Sequence, residues 1–143
     1  MENKYYEIPF PPSYWDAFYR KKRFDTKSEE YKIFIYKTEQ ALNKSNFKAP
    51  IGGEMELHLV LCGNWYTKAV GKKAAKIRRK DLDNYLKCII DTLTKYIRKT
   101  NDKFDDCLLF AIYAEKKQAS RQCVFFSLNP RQPRYNEGSD PAK

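Results

Sequence analysis

The chain has 143 residues, with 28 Lys and Arg against 18 Asp and Glu and a formal net charge of +10. That length suits one domain, and 42% hydrophobic residues with 11 Tyr, 9 Phe and 2 Trp exclude a disordered chain. No apolar run approaches the ~20 residues of a membrane span, and so large a basic excess favours a polyanionic partner, either nucleic acid or an anionic surface.

The residues up to Ser13 hold an early glutamate, and prolines where a secretion signal needs an apolar core. The chain is therefore expected not to be secreted. Residues 4–10 read as a short strand stopped by Pro11 and Pro12, and residues 13–27 as an aromatic and basic loop. Ser28 offers a helix N-cap, and Tyr31, Phe34, Ile35, Thr38, Ala41 and Leu42 follow at helical spacing. Pro50, Gly52 and Gly53 mark the next turn. Met55, Leu57, Leu59 and Leu61 then alternate, which predicts a strand over 54–62.

Residues 63–80 carry Lys68, Lys72, Lys73, Lys76, Arg78, Arg79 and Lys80 with no acidic residue and no hydrophobic period. Like charges repel, so a mobile basic loop is expected unless a polyanion orders it. Leu82, Leu86, Ile89, Ile90, Leu93 and Ile97 share one side of a helix predicted over 83–99. Two strands follow, over 106–116 and 121–128, and residues 130–143 read as a disordered tail behind a domain spanning 1–129. The order β-α-β-α-β-β predicts an α+β fold, a mixed sheet of about four strands with two main helices packed on it.

Cys62, Cys88, Cys107 and Cys123 sit among apolar neighbours without CxxC spacing, and His58 is the only histidine. A zinc site is not expected. The cysteines read as small buried hydrophobes in a reducing compartment, although the sequence leaves a disulfide open.

The chemistry concentrates in residues 78–87. Asp81 and Asp83 interrupt a basic run at a spacing of two. Carboxylates that close repel unless a cation joins them, and Mg²⁺ takes one or two carboxylates with waters and phosphate oxygens. Lys87 follows one turn later, about 40° round the helix from Asp83 and beside the apolar stripe, free to face a cleft. Asp91 is a further turn on, drifted to about 80°. Asp105 and Asp106 precede the next strand, which is expected to bring Asp106 back to Asp81 and Asp83. Three carboxylates with a lysine suit phosphodiester hydrolysis, since a carboxylate-held metal polarises the phosphoryl group and activates water, and a lysine stabilises developing charge. Plainer readings use the same residues: Asp83 as a helix N-cap, Asp81 as a partner for the arginines, Asp105 and Asp106 as turn residues. Spacing alone leaves both open.

The run Lys80-Asp81-Leu82-Asp83-Asn84-Tyr85-Leu86-Lys87, then Ile90-Asp91-Thr92-Leu93-Thr94, then Phe104-Asp105-Asp106, resembles the RusA family of Holliday junction resolvases. Ile8-Pro9-Phe10-Pro11-Pro12-Ser13 is similar to that family's opening strand and turn. The resemblance implies that Asp81, Asp83 and Asp106 are the catalytic, metal-binding carboxylates and that Lys87 is the functional lysine. Asn84 and Asp105 would support them. It further implies Mg²⁺ as cofactor, with Mn²⁺ as a substitute, and a homodimer nicking a four-way DNA junction in the reducing cytoplasm of a bacterium or in a phage. Two sites on a two-fold axis suit a substrate with two symmetric scissile bonds.

Tyr14, Trp15, Phe18 and Tyr19 lie beside Arg20, Lys21, Lys22 and Arg23. Such mixtures stack on unpaired bases or cover a sheet end. Lys72, Lys73, Lys76, Arg78, Arg79 and Lys80 are the phosphate-contacting candidates. His58 reads as an ordinary strand residue, and Tyr113, Phe125 and Phe126 as core or dimer interface. The competing functions are a less selective branched-DNA or flap nuclease and a non-catalytic basic nucleic-acid-binding module.

Overall fold

The computed structural model describes residues 3–20, 25–50 and 52–131. Lys21, Lys22 and Arg23 lie outside them, as does the expected tail beyond Arg131.

β1 (Tyr6–Ile8) leads through the two prolines to Ser13, whose hydroxyl accepts from the Asp16 amide at 3.3 Å and caps a single helical turn, α1 (Tyr14–Ala17). β2 (Phe18–Arg20) and β3 (Asp25–Lys27) then pair antiparallel. The sequence predicts a loop here. Four residues are too few to show a helical period, and the turn is fixed instead by its cap and by burial of Ala17. α2 (Glu29–Lys44) starts where Ser28 predicts, with the Ser28 hydroxyl accepting from the Tyr31 amide at 3.2 Å. Glu29 and Glu30 in the first turn and Lys44 in the last complement the helix dipole. The chain leaves the helix through Asn46 at a φ of 54°, a left-handed conformation that asparagine tolerates.

β4 (Met55–Gly63) is the strand next to the parallel edge of a mixed sheet ordered β1-β6-β4-β5, where β5 is Leu109–Gln118 and β6 is Cys123–Pro130. β1 and β4 flank β6 antiparallel, and β4 pairs with β5 in parallel. Leu57, Leu59 and Leu61 oppose Leu128, Phe126 and Val124, and all six are buried. Tyr31, Phe34 and Leu42 of α2 join the same core as Tyr85, Ile89, Leu93 and Ile97 of α3 (Asp83–Arg98). This is the α+β arrangement that the sequence predicts.

The parallel pair fixes the direction of α3. Tyr85 near its start packs against Trp65, just past the end of β4, with ring centroids 6.2 Å apart. Ile97 near its end lines a small apolar space with Phe104, Leu57 and Leu109. The helix thus runs back from the exit of β4 to the entrance of β5.

Residues 64–82 form an irregular hairpin. The Arg78 amide donates to the Trp65 carbonyl at 2.8 Å and the Thr67 amide to the Lys76 carbonyl at 2.7 Å. Val70 and Lys73 exchange backbone bonds across Gly71, whose φ of 57° suits the tip. Trp65 roots the arm: its indole is buried, and Nε1 donates to the carbonyls of Leu61 and Lys117, each at 3.1 Å.

β5 begins three residues later than the expected 106. The Asp105 carboxylate accepts from the Asp106 amide at 2.7 Å and caps a short 3-10 turn, Asp106–Leu108. An aspartate that bonds its neighbouring amide competes with the strand ladder. That turn also exposes Cys107, whereas Cys62, Cys88 and Cys123 are buried, and all four are free thiols. β6 runs to Pro130, and Arg131 is held by Glu54 through both backbone and side chain.

Candidate active site

Asp83 is the first residue of α3, and the residue in the cap position is Leu82, which offers no side-chain bond. Asp83 therefore does not cap the helix. Asp81 and Asp83 are both exposed, and among the described residues neither forms an ion pair. Arg78 turns away, its Nε donating to the Tyr66 carbonyl at 3.0 Å. Negative charge at this end suits the helix dipole, and among the described residues no basic side chain neutralises either carboxylate. Asn84 is half-buried, its amide donating to the Asp81 carbonyl at 3.2 Å.

The opening turn of the chain comes to the same place. Phe10 packs on Tyr85 with centroids 5.1 Å apart, and Lys80 shares an open cleft of about 540 Å³ with Pro11, Pro12 and Asp16. Two segments about 70 positions apart in sequence thus border the start of α3.

Lys87, one turn on, places Nζ 3.2 Å from the Asp91 carboxylate. That hydrogen bond, more than any other influence, holds the ammonium above the usual lysine range. The Asp91 charge adds to it, burial opposes it, and Tyr14 and Asp106 add lesser contributions. Lys87 is charged at neutral pH.

Asp106 stands on the 3-10 turn and lines a shallow cleft of about 360 Å³ with Asp91, Thr94, Lys95, Arg98 and Asp105. Its carboxyl is raised above the usual aspartate range, first by its hydrogen bond with Asp105, then by desolvation and the charges of Asp105 and Asp91, while Lys87 opposes. Asp105 is lowered, first by the Asp106 side chain and then by the Asp106 amide, with Arg98 contributing. The two carboxyls thus shift in opposite directions, each chiefly through the other.

The chain thus brings Asp91, Asp105 and Asp106 together beside the later turns of α3, with Lys87, one turn after Asp83, joined to Asp91. Asp83 stands at the start of α3, about 12 Å along the axis from Asp91 at about 1.5 Å per residue, and Asp81 just before it. Asp91 is drawn into this group, a placement the sequence left unassigned. Its signal was the i+4 spacing from Lys87, outweighed there by its drift round the wheel.

Residues 9–122 match the family described as Endodeoxyribonuclease RusA. The chain belongs to the RusA family. The matched span holds both the proline turn and the whole Asp81–Asp106 stretch, and it indicates an endodeoxyribonuclease. No individual curated protein matches the chain.

RusA-family nucleases are generally dependent on a divalent metal. Among the described residues of this RusA chain, no group of three His, Cys, Asp or Glu side chains stands close enough to hold an ion. The oxygen donors are of the right hardness for Mg²⁺, but among the described residues Asp81, Asp83 and Asp106 do not come together as one group of three.

In sequence the RusA chain is basic just before Asp81 and Asp83. Lys72, Lys73, Lys76 and Arg79 are exposed on the hairpin arm, and Arg78 and Lys80 are half-buried at its root. Arg20 stands opposite Asp25 in the backbone register of the β2–β3 ladder. The aromatic cluster divides: Phe18 packs on Tyr31 at 5.4 Å, whereas Trp15 is 66% exposed. No described helix is long and apolar enough to cross a membrane.

Proposed function

We propose that the protein is a divalent-metal-dependent endonuclease that resolves four-way DNA junctions by paired symmetric nicks, acting as a homodimer. The observation that supports it best is the exposure of Asp81, Asp83 and Asp106 around one helix that also carries Lys87, inside a chain of net charge +10. Exposed carboxylates that pair with no described cation, in a strongly basic chain, are poorly explained as surface charge balance.

The separation of the carboxylates along α3 gives dimerisation a chemical reason. One copy offers Asp81 and Asp83 at one end of the helix and Asp106 toward the other, so in this reading a metal site draws on two copies. Mg²⁺ is the expected ion and Mn²⁺ a substitute. Lys87 donates hydrogen bonds and positive charge to a phosphate oxygen as negative charge develops. The arm residues Lys72, Lys73, Lys76 and Arg79 hold the DNA backbone. The four free thiols suit a reducing cytoplasm.

The test is a synthetic immobile junction with Mg²⁺. The protein is expected to nick opposed strands, and Asp83→Asn is expected to bind the junction without nicking it. Wild-type nicking by that variant would remove Asp83 from the site. Equal cutting of a junction, a flap and a single strand would replace junction resolution by a less selective nuclease, and binding without any nicking by the wild-type chain would leave a DNA-binding module.

A further inference from the structure

We infer that Asp91 is a positioning residue, which anchors Lys87 so that its ammonium is presented beside Asp106. The inference rests on the reading of Lys87 as a functional lysine of the nuclease.

Two independent placements carry it. Asp91 Oδ2 lies 3.2 Å from Lys87 Nζ, and the Asp91 side chain lines the same open cleft as Asp105 and Asp106. Lys87 is therefore joined, one turn along its own helix, to a residue that shares a cleft with Asp106. The groups that act on Lys87 come from three elements: Asp91 on α3, Tyr14 on α1 and Asp106 on the 3-10 turn. Of these, Asp91 supplies the hydrogen bond.

A lysine needs such an anchor here. Its side chain is 58% exposed, and an exposed lysine has a long flexible stem whose rotamers spread through solvent. Catalysis by charge stabilisation depends on the donor already being in place. Helix stabilisation is a weak account of the pair. Lysine stands N-terminal to the acid, the less favourable order for an i,i+4 pair, and the pair is solvent-exposed. Asp91 is half-buried, at 40% side-chain exposure. A side chain whose only role was charge balance would have no reason to share a cleft with Asp106.

The experiment uses the full chain and a synthetic four-way junction, with the first-nick rate read at saturating enzyme and junction affinity read separately without added divalent ion. Asp91→Asn is expected to slow nicking by about 10-fold to 100-fold, the cost of a misplaced group, with affinity and melting temperature unchanged. Asp91→Glu, which can still reach Lys87, is expected to recover most of the rate. In a Lys87→Met background Asp91→Asn should add no further loss, because a residue acting through Lys87 has nothing left to position. Where the Lys87→Met rate is too low to read that comparison, the recovery by glutamate decides. Wild-type nicking by Asp91→Asn, losses that multiply in the double variant, a glutamate variant as slow as asparagine, or a fall in affinity or melting that accounts for the rate would each overturn the inference. Asp83→Asn in parallel separates the two levels: if it still nicks, the nuclease site itself is misassigned, and if it is inactive while Asp91→Asn is normal, only the role of Asp91 falls.

Discussion

Asp83 opens α3, and Asp106 stands beside the later turns of the same helix, in a cleft with Asp91 and Arg98. The parallel pairing of β4 and β5 enforces this. A helix that connects two parallel neighbours must run back against them, so the chain enters β5 at the end where α3 finishes.

The first prediction follows from that separation. If a site takes Asp83 from one copy and Asp106 from the other, a mixed dimer of Asp83→Asn and Asp106→Asn copies has one site with both defects and one with neither. Mixing the two inactive variants is expected to restore single nicks in a junction, without paired resolution. Supercoiled cruciform plasmid distinguishes the outcomes, since a single nick gives open circles and paired nicks give linear product. No recovery, with mixed dimers demonstrated by tag exchange, would place all three aspartates in one chain's site.

The arm is expected to supply affinity and not chemistry. Lys72, Lys73 and Lys76 are exposed on a hairpin rooted by Trp65. Replacing all three by alanine should reduce the slope of log affinity against log salt by about 2–3, at roughly 0.9 for each phosphate that is no longer neutralised. The nicking rate of saturated junction should not change. Trp65→Ala acts differently: removing a buried indole costs about 3–5 kcal/mol, so it should lower the melting temperature as well as the affinity. An unchanged salt slope in the triple variant would show that the arm does not meet the backbone.

Much of this was legible in the residues and some was not, for physical reasons. Ser28 announces α2 because a cap acts within three residues. The alternation from Met55 to Leu61 announces β4 because one face is buried, and the stripe from Leu82 to Ile97 announces α3 for the same reason. The arm shows no period because its order comes from backbone bonds and from one indole reaching a carbonyl 52 residues away. The start of β5 was hidden by the Asp105 cap. The expectation that Asp106 returns to Asp81 and Asp83 depended on the direction of a crossover, and periodicity does not carry direction. Asp91 was visible as a position and not as a partner, since its meaning depends on Asp106 across the cleft.

The thiols divide by burial. Cys107 is exposed on the 3-10 turn, while Cys88 and Cys123 have their thiols pushed up to about 11, in each case first by burial. A raised thiol holds less thiolate at neutral pH, and the thiolate is the reacting form. Cys107 is expected to react promptly with a chromogenic disulfide at neutral pH, with Cys62, Cys88 and Cys123 following only on denaturation. Mass mapping of the modified peptide checks the assignment, and prompt labelling of Cys88 or Cys123 would contradict their burial.

The last prediction concerns acid stability at the outer strand. Glu7 on β1 pairs with Arg121 in the turn before β6. The Arg121 hydrogen bond holds Glu7 below the usual glutamate range, with a further contribution from the Cys123 thiol and the Arg121 charge against desolvation. A carboxyl lowered in the folded state binds its proton less readily there than in the unfolded chain. Its stabilising effect is therefore full above the ordinary glutamate pKa of about 4.3, and is lost as pH falls through the lower folded value. Both partners are substantially exposed, so the effect is small and screened by salt. Glu7→Gln is expected to lower the melting temperature slightly at neutral pH and to converge with the wild-type chain in acid, with the gap shrinking in high salt. The measurement is a melting-temperature series for both proteins from neutral pH down to pH ~3. A gap that persists in acid would assign the loss to packing against Cys123 and not to the ion pair.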